Sequence, residues 1–175
     1  MQLMTGQISV ELKILGYLFP DKTDFDGSNR LMILLEMQSP WGLWSRNDPC
    51  LEVLEAQRLL HWFQEVERHF DFFAGWKTSH LDSSECFIEP NLEFWVRGGQ
   101  VIPRPEGTLV MDVLFSHEFL PPFSSELPHD MLLEEEKVHQ VLLRFYLTHE
   151  QLKTLIRQWE QDMTPFPERY SKEKW

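Results

Sequence analysis

The order in which hydrophobic periodicities succeed one another constrains this chain more than any other feature. Apolar and polar residues alternate near the start, give way to a helical stripe at about residue 49, alternate again over several segments, and end on a second helical stripe. That order describes strands interrupted by one helix and closed by another. The fold class expected is α+β: a mainly antiparallel β-sheet with one helix inserted after the third strand and one C-terminal helix.

Ile8, Val10, Leu12 and Ile14 alternate with Ser9, Glu11 and Lys13, which places the apolar side chains on one face of a half-buried strand. Turn formers crowd residues 19–29, after which Leu31-Met-Ile-Leu-Leu35 is apolar on both faces and reads as a central strand. Ser39-Pro-Trp-Gly42 turns into a short third strand around Trp44. Asp48 and Pro49 have the chemistry of an N-cap and a first helical residue, so a helix is expected over 49–70. Its stripe runs through Leu51, Leu54, Leu59, Trp62, Phe63, Val66 and Phe70, with Glu55, Arg58 and Glu65 off it.

Further strands are expected near Trp76 to Leu81, over Phe87 to Arg97, and through Leu109, Met111, Val113 and Phe115. Pro90 favours an edge or a bulge. Val141, Leu143, Phe145 and Leu147 mark the last strand. Thr148-His-Glu-Gln151 is a capping box, in which the Thr hydroxyl and the Gln amide satisfy each other's backbone donors, with Leu147 and Leu152 as the accompanying apolar pair. The second helix therefore spans 148–163 and stops at Thr164-Pro165. Both helices are expected to cover one sheet face.

A chain of 175 residues with 42% hydrophobic and 13% aromatic content can bury a sizeable core, and a single domain over 1–175 is expected, with its globular part at 7–163. The tail, 164–175, reads as loosely held. Residues 118–137 differ in character: six carboxylates against one Lys give a local charge of -5 out of -12 overall, and the prolines and serines make the segment a long acidic loop. Net negative charge disfavours nucleic-acid binding, which needs a basic patch, and suits a basic protein partner. Met1-Gln-Leu-Met-Thr-Gly lacks the features of a secretory leader and no apolar run is long enough to span a bilayer, so a cytoplasmic location is expected.

The motifs of known chemistries are missing. No Gly-rich phosphate loop, Gly-x-Ser-x-Gly elbow or His-Glu-x-x-His helix occurs. Cys50 and Cys86 have neither metal-ligand spacing nor a local His, and read as idle thiols. Asp21, Asp24 and Asp26-Gly27 lack the glycine position and terminal Glu of a calcium loop. His117-Glu118 and His149-Glu150 are adjacent pairs, whose side chains diverge. Glu85, Glu89 and Glu93 recur at a spacing of four, which on one strand would place them on one face. A solvated face is the simplest reading, and a small hydrolase using that carboxylate cluster is the alternative. No enzyme activity, cofactor or metal is expected.

Several segments together resemble the WapI-type immunity proteins of bacterial contact-dependent, polymorphic toxin systems. They are Val10-Glu-Leu-Lys-Ile-Leu-Gly-Tyr17 with Pro20, the stretch from Asp26 to Leu31, Trp41-Gly-Leu-Trp44, the Leu51 to Leu60 helix, Phe87-Ile-Glu-Pro-Asn-Leu92, and the strand and helix from Val141 to Leu155. The likeness covers most of 7–160, and departs from the family pattern at Asn29-Arg30-Leu31, where Asn-Trp-Leu is expected. The resemblance implies a cytoplasmic protein that neutralises a cognate toxin domain by stoichiometric occlusion, without catalysis. Against a nuclease-like toxin with a cationic groove, carboxylates speed encounter and block substrate. Asp130, Glu134, Glu135 and Glu136 are the candidate partner-binding residues. A scaffold or accessory subunit that binds a neighbouring protein is a third reading.

Overall fold

A computed structural model describes residues 1–22, 27–75, 82–98, 104–127, 132–135 and 138–169. Its strands form two antiparallel sheets. The first is a meander of β1 (Gln2–Thr5), β2 (Ile8–Tyr17), β3 (Arg30–Ser39) and β4 (Gly42–Glu52) in that spatial order. After α1 (Val53–Arg68) and the short α2 (Phe70–Gly75), the second sheet comprises β5 (Asp82–Cys86), β6 (Leu92–Arg97), β7 (Thr108–Ser116), β8 (Leu132–Glu135) and β9 (Val138–Thr148). Its spatial order is β5-β6-β7-β9-β8, and α3 (His149–Met163) follows β9.

The α+β class and mainly antiparallel pairing agree with the periodicities. The inserted helix follows the strand read as third, which is the fourth because β1 precedes it. Alternation in β2 is realised in burial: Ile8, Val10, Leu12 and Ile14 are all buried. β3 is central, between β2 and β4, with Leu31, Ile33, Leu35 and Met37 in the core and Met32 and Leu34 half-buried opposite.

The expected helix start at Asp48-Pro49 is corrected. Both residues lie in β4, where Asp48 stands opposite Ile33 and Leu51 opposite Leu31 across a bulge. The physical reason is that β4 is an edge strand, on which the N–H missing from Pro49 can be tolerated. The helix starts instead at Val53, with Glu52 as its N-cap. The single strand expected over Phe87 to Arg97 is also corrected: β5 ends at Cys86, a turn spans 87–91, and β6 begins at Leu92. The strand expected near Trp76 to Leu81 lies outside the described residues.

One core joins both sheets. Leu3, Val10 and Leu12 of the first sheet meet Leu92, Phe94 and Val113 of the second. The helices do not cover one sheet face as expected. α3 touches β1 and β2 as well as β9, while Phe63 of α1 packs edge-on against Phe94 of β6 at 5.5 Å. The helices also lock to each other, as the fully buried Trp159 donates its indole N–H to the Ala56 carbonyl at 3.0 Å. The reason is that two sheets sharing a core offer both inner surfaces to the same apolar stripes. The tail is docked as far as 169: Phe166 meets Tyr17 edge-on, and the Arg169 backbone N–H donates to Asn29 Oδ1 at 2.7 Å.

The Thr148 box forms as read. The backbone N–H of Gln151 donates to Thr148 Oγ1 at 3.3 Å, and Gln151 Oε1 accepts the Thr148 N–H at 2.8 Å. Thr148→Ala is expected to cost about 1 kcal/mol. Leu155→Ala, at a buried position on the stripe, should cost roughly 2 to 5 kcal/mol. Denaturant melts of both variants measure this, and neutrality at both would remove α3 from the core.

Candidate functional site

The segment carrying the candidate partner-binding residues begins where β7 ends. His117 takes a left-handed φ of 51°, a conformation uncommon for a residue with a side chain, and its carbonyl accepts the Leu120 N–H at 3.1 Å. A 3-10 turn over His117–Phe119 and another over Ser124–Glu126 follow, and buried Phe119, Phe123 and Leu127 pin the segment to the body of the protein. The expectation of an unbroken loop over 118–137 is corrected, because Leu132–Glu135 form edge strand β8, with Glu134 opposite His139 and Glu135 opposite Val138. The backbone pairing offered by β9 accounts for the difference. Asp130 and Glu136 lie outside the described residues.

Glu85, Glu89 and Glu93 do not share one face. Glu85 lies on β5 opposite Phe94, whereas Glu93 lies on β6 beside Phe94 and therefore on the other side of the sheet; Glu89 lies in the turn between. Glu85 pairs with Arg58, and Glu89 with Arg30. Burial pushes the Glu93 carboxyl up, with the nearby Arg97 charge opposing. The spacing of four failed as a guide because it spans a turn.

The turn at 87–91 is tied down by polar contacts at almost every residue. The buried Glu55 carboxylate accepts the Ile88 N–H at 2.8 Å through Oε1 and the Glu52 N–H at 3.0 Å through Oε2. Asn91 donates its side-chain amide to Asp48 Oδ1 at 3.0 Å, and the Ser116 hydroxyl donates to the Pro90 carbonyl. Arg30 donates Nε to the Pro49 carbonyl at 2.8 Å and pairs with Glu89. A groove of about 70 Å³ remains between Arg30, Cys50, Glu55 and Ile88.

The electrostatics of this groove suit positioning more than reaction. Burial, reinforced by Asp48, pushes the Cys50 thiol far up, so it remains protonated and a poor nucleophile. The Asp48 carboxyl is also raised, first by burial and then by the nearby Glu118 charge, with the Asn91 hydrogen bond opposing. Cys86 is exposed. His149 stacks on Phe70 at 4.7 Å and meets Glu67 at 2.5 Å, a packing role on the far end of α1. Among the described residues no group of His, Cys, Asp and Glu side chains could hold a metal ion.

Sequence reasoning missed an ionic ladder in the second sheet, centred on one buried carboxylate. Asp112, fully buried in β7, accepts two hydrogen bonds from Arg144 at 2.7 and 2.8 Å and one from Arg97 at 3.2 Å. Arg97 continues to Asp82 at 2.7 Å. The available signal was a lone carboxylate, Asp112, inside an apolar strand, with one arginine on each of the strands that flank it.

Comparison with known proteins gives one family. The model of the immunity protein WapI-like family matches residues 2–167. No curated protein matches the chain. No helix among the described residues is long and apolar enough to cross a membrane.

Two outcomes follow from the groove. Glu55→Ala removes both acceptor oxygens and leaves the Ile88 and Glu52 N–H groups without them, so denaturant melts should show a loss of roughly 3 kcal/mol. Asp48 carries a raised pKa in the folded protein, so its ionised form is the destabilised one: its unfavourable effect is absent below the unfolded-state value and grows as pH rises through the folded one. Asp48→Asn should therefore match or exceed the parent's melting temperature at pH 7, with any advantage vanishing near pH ~3. A variant less stable than the parent at pH 7 would show that the Asn91 contact outweighs the repulsion.

Proposed function

The chain belongs to the immunity protein WapI-like family, and on that premise we propose that it binds a cognate toxin domain one to one and covers the surface the toxin needs. No bond is made or broken in this mechanism. The observation that carries it is the family match over 2–167, to which the net charge of -12 adds the chemistry of the partner. A toxin that acts on nucleic acid has a cationic groove. An acidic inhibitor accelerates encounter with such a groove and competes with its substrate. Interception in the cytoplasm of the producing cell fits this role.

The arrangement of carboxylates favours occlusion over hydrolysis. Glu85 and Glu89 are each held by an arginine, and Glu93 lies on the opposite side of the sheet from Glu85. Acid and base partners in glycoside hydrolysis must instead face one another across a bond. The acidic stretch 118–137 supplies the steering charge, with Asp130, Glu134, Glu135 and Glu136 as its main contributors.

Rates of binding to a cognate toxin domain, identified by co-purification with the protein, test this. Neutralising these residues together, as Asp130→Asn, Glu134→Gln, Glu135→Gln and Glu136→Gln, should slow association much more than it speeds dissociation. The difference should shrink as salt rises from about 0.1 M to about 1 M, because the Debye length falls from about 10 Å to about 3 Å. Equal association by parent and variant at the lower salt would reject this segment as the steering element.

A further inference from the structure

The outward side of the first sheet has the composition of an interface. Successive rows can be read from the strand register. Met4 of β1, Ser9 of β2, Gln38 of β3 and Leu43 of β4 form one row, and Gln2, Glu11, Glu36 and Ser45 form the next. Met4 and Leu43 are exposed at 66% and 77%, and Leu34 and Met32, further along β3, are half-buried yet lie outside the core cluster. Single exposed apolar residues are ordinary, but here they flank a row whose centre is charged.

That centre is a like-charge pair. Glu11 and Glu36 stand directly opposite one another on β2 and β3, where side-chain origins are roughly 5 Å apart and equal charges repel. Lys13, on the same face and diagonal to Glu36, forms no ion pair with either among the described residues. Both residues are half-buried. An ammonium or guanidinium placed between them would satisfy both at once.

We propose that this face docks a protein partner presenting Lys or Arg side chains within an apolar patch. The charge decides the occupant. A second copy of the chain meeting this face about a two-fold axis would bring both glutamates of each copy together, whereas a cationic surface relieves the pair and covers Met4, Leu34 and Leu43. The identity of that partner as a toxin rests on the reading above, and the contact made here is short-range docking, separate from long-range steering by 118–137.

Calorimetric titration of the cognate toxin domain identified by co-purification, with sedimentation of the free protein, tests the assignment. One variant is Glu11→Lys with Glu36→Lys, and a second, charge-neutral one is Met4→Ser with Leu43→Ser. A charge-matched control, Glu106→Lys with Glu160→Lys, alters exposed residues elsewhere. Both face variants should retain the parent's circular dichroism and bind roughly tenfold or more weakly, while the control stays near the parent and the free protein sediments as a monomer. Face variants that bind like the control overturn the proposal. So does a free parent that dimerises and is made monomeric by Met4→Ser with Leu43→Ser, which would assign the face to a second copy. Failure of parent and control alike to bind overturns the toxin reading together with this partner, and is told apart by the control.

Discussion

One buried carboxylate joins the parts of this protein that are distant in sequence. Glu55, in the first turn of α1, accepts the backbone N–H of Glu52 at the end of β4 and that of Ile88 in the turn between β5 and β6. It thereby fixes the point at which the first sheet becomes a helix and ties the second sheet to it. Buried polar groups are tolerated where hydrogen bonds replace water, and here two backbone donors do so. The Arg30 contacts with Pro49 and Glu89 and the Asn91 contact with Asp48 repeat the connection on either side.

How much of this was legible in the sequence depended on how far each determinant reached along the chain. The capping box at Thr148 and the alternation in β2 involve residues a few positions apart, and both are present as read. The Asp48-Pro49 pair carries the local marks of a helix start, yet β3 recruits it as an edge strand and Asn91, 43 positions away, takes its carboxylate. Glu55 sits off the apolar stripe by composition and is nevertheless buried, because its partners lie on other elements. Asp112 is the same case within a strand: its arginines arrive from β6 and β9.

The candidate binding residues were less legible than the fold, for a related reason. The charge of 118–137 can be counted directly, but the pairing of Leu132–Glu135 with β9 cannot. On the first sheet, Glu11 and Glu36 each look like ordinary outward residues of an alternating strand. Their opposition exists only in the register that pairs Leu12 with Leu35 and Val10 with Met37. A shift of one residue would turn the apolar set of one of the two strands outward, so core burial is what brings the two carboxylates face to face.

The two sheets also differ in when they can be completed. Each strand of the first sheet pairs with its neighbour in sequence, so a chain emerging from the ribosome holds the whole meander once residues to Glu52 are free. The second sheet cannot close until β9 arrives, because β9 inserts between β7 and β8. Until Thr148 has been synthesised, the long apolar strand β7 keeps one edge unpaired, and α3 is not there to bridge the sheets. The nascent chain thus holds every strand of the meander before the second sheet can close, an interval in which the unpaired apolar edge of β7 exposes it to aggregation or chaperone engagement in competition with folding.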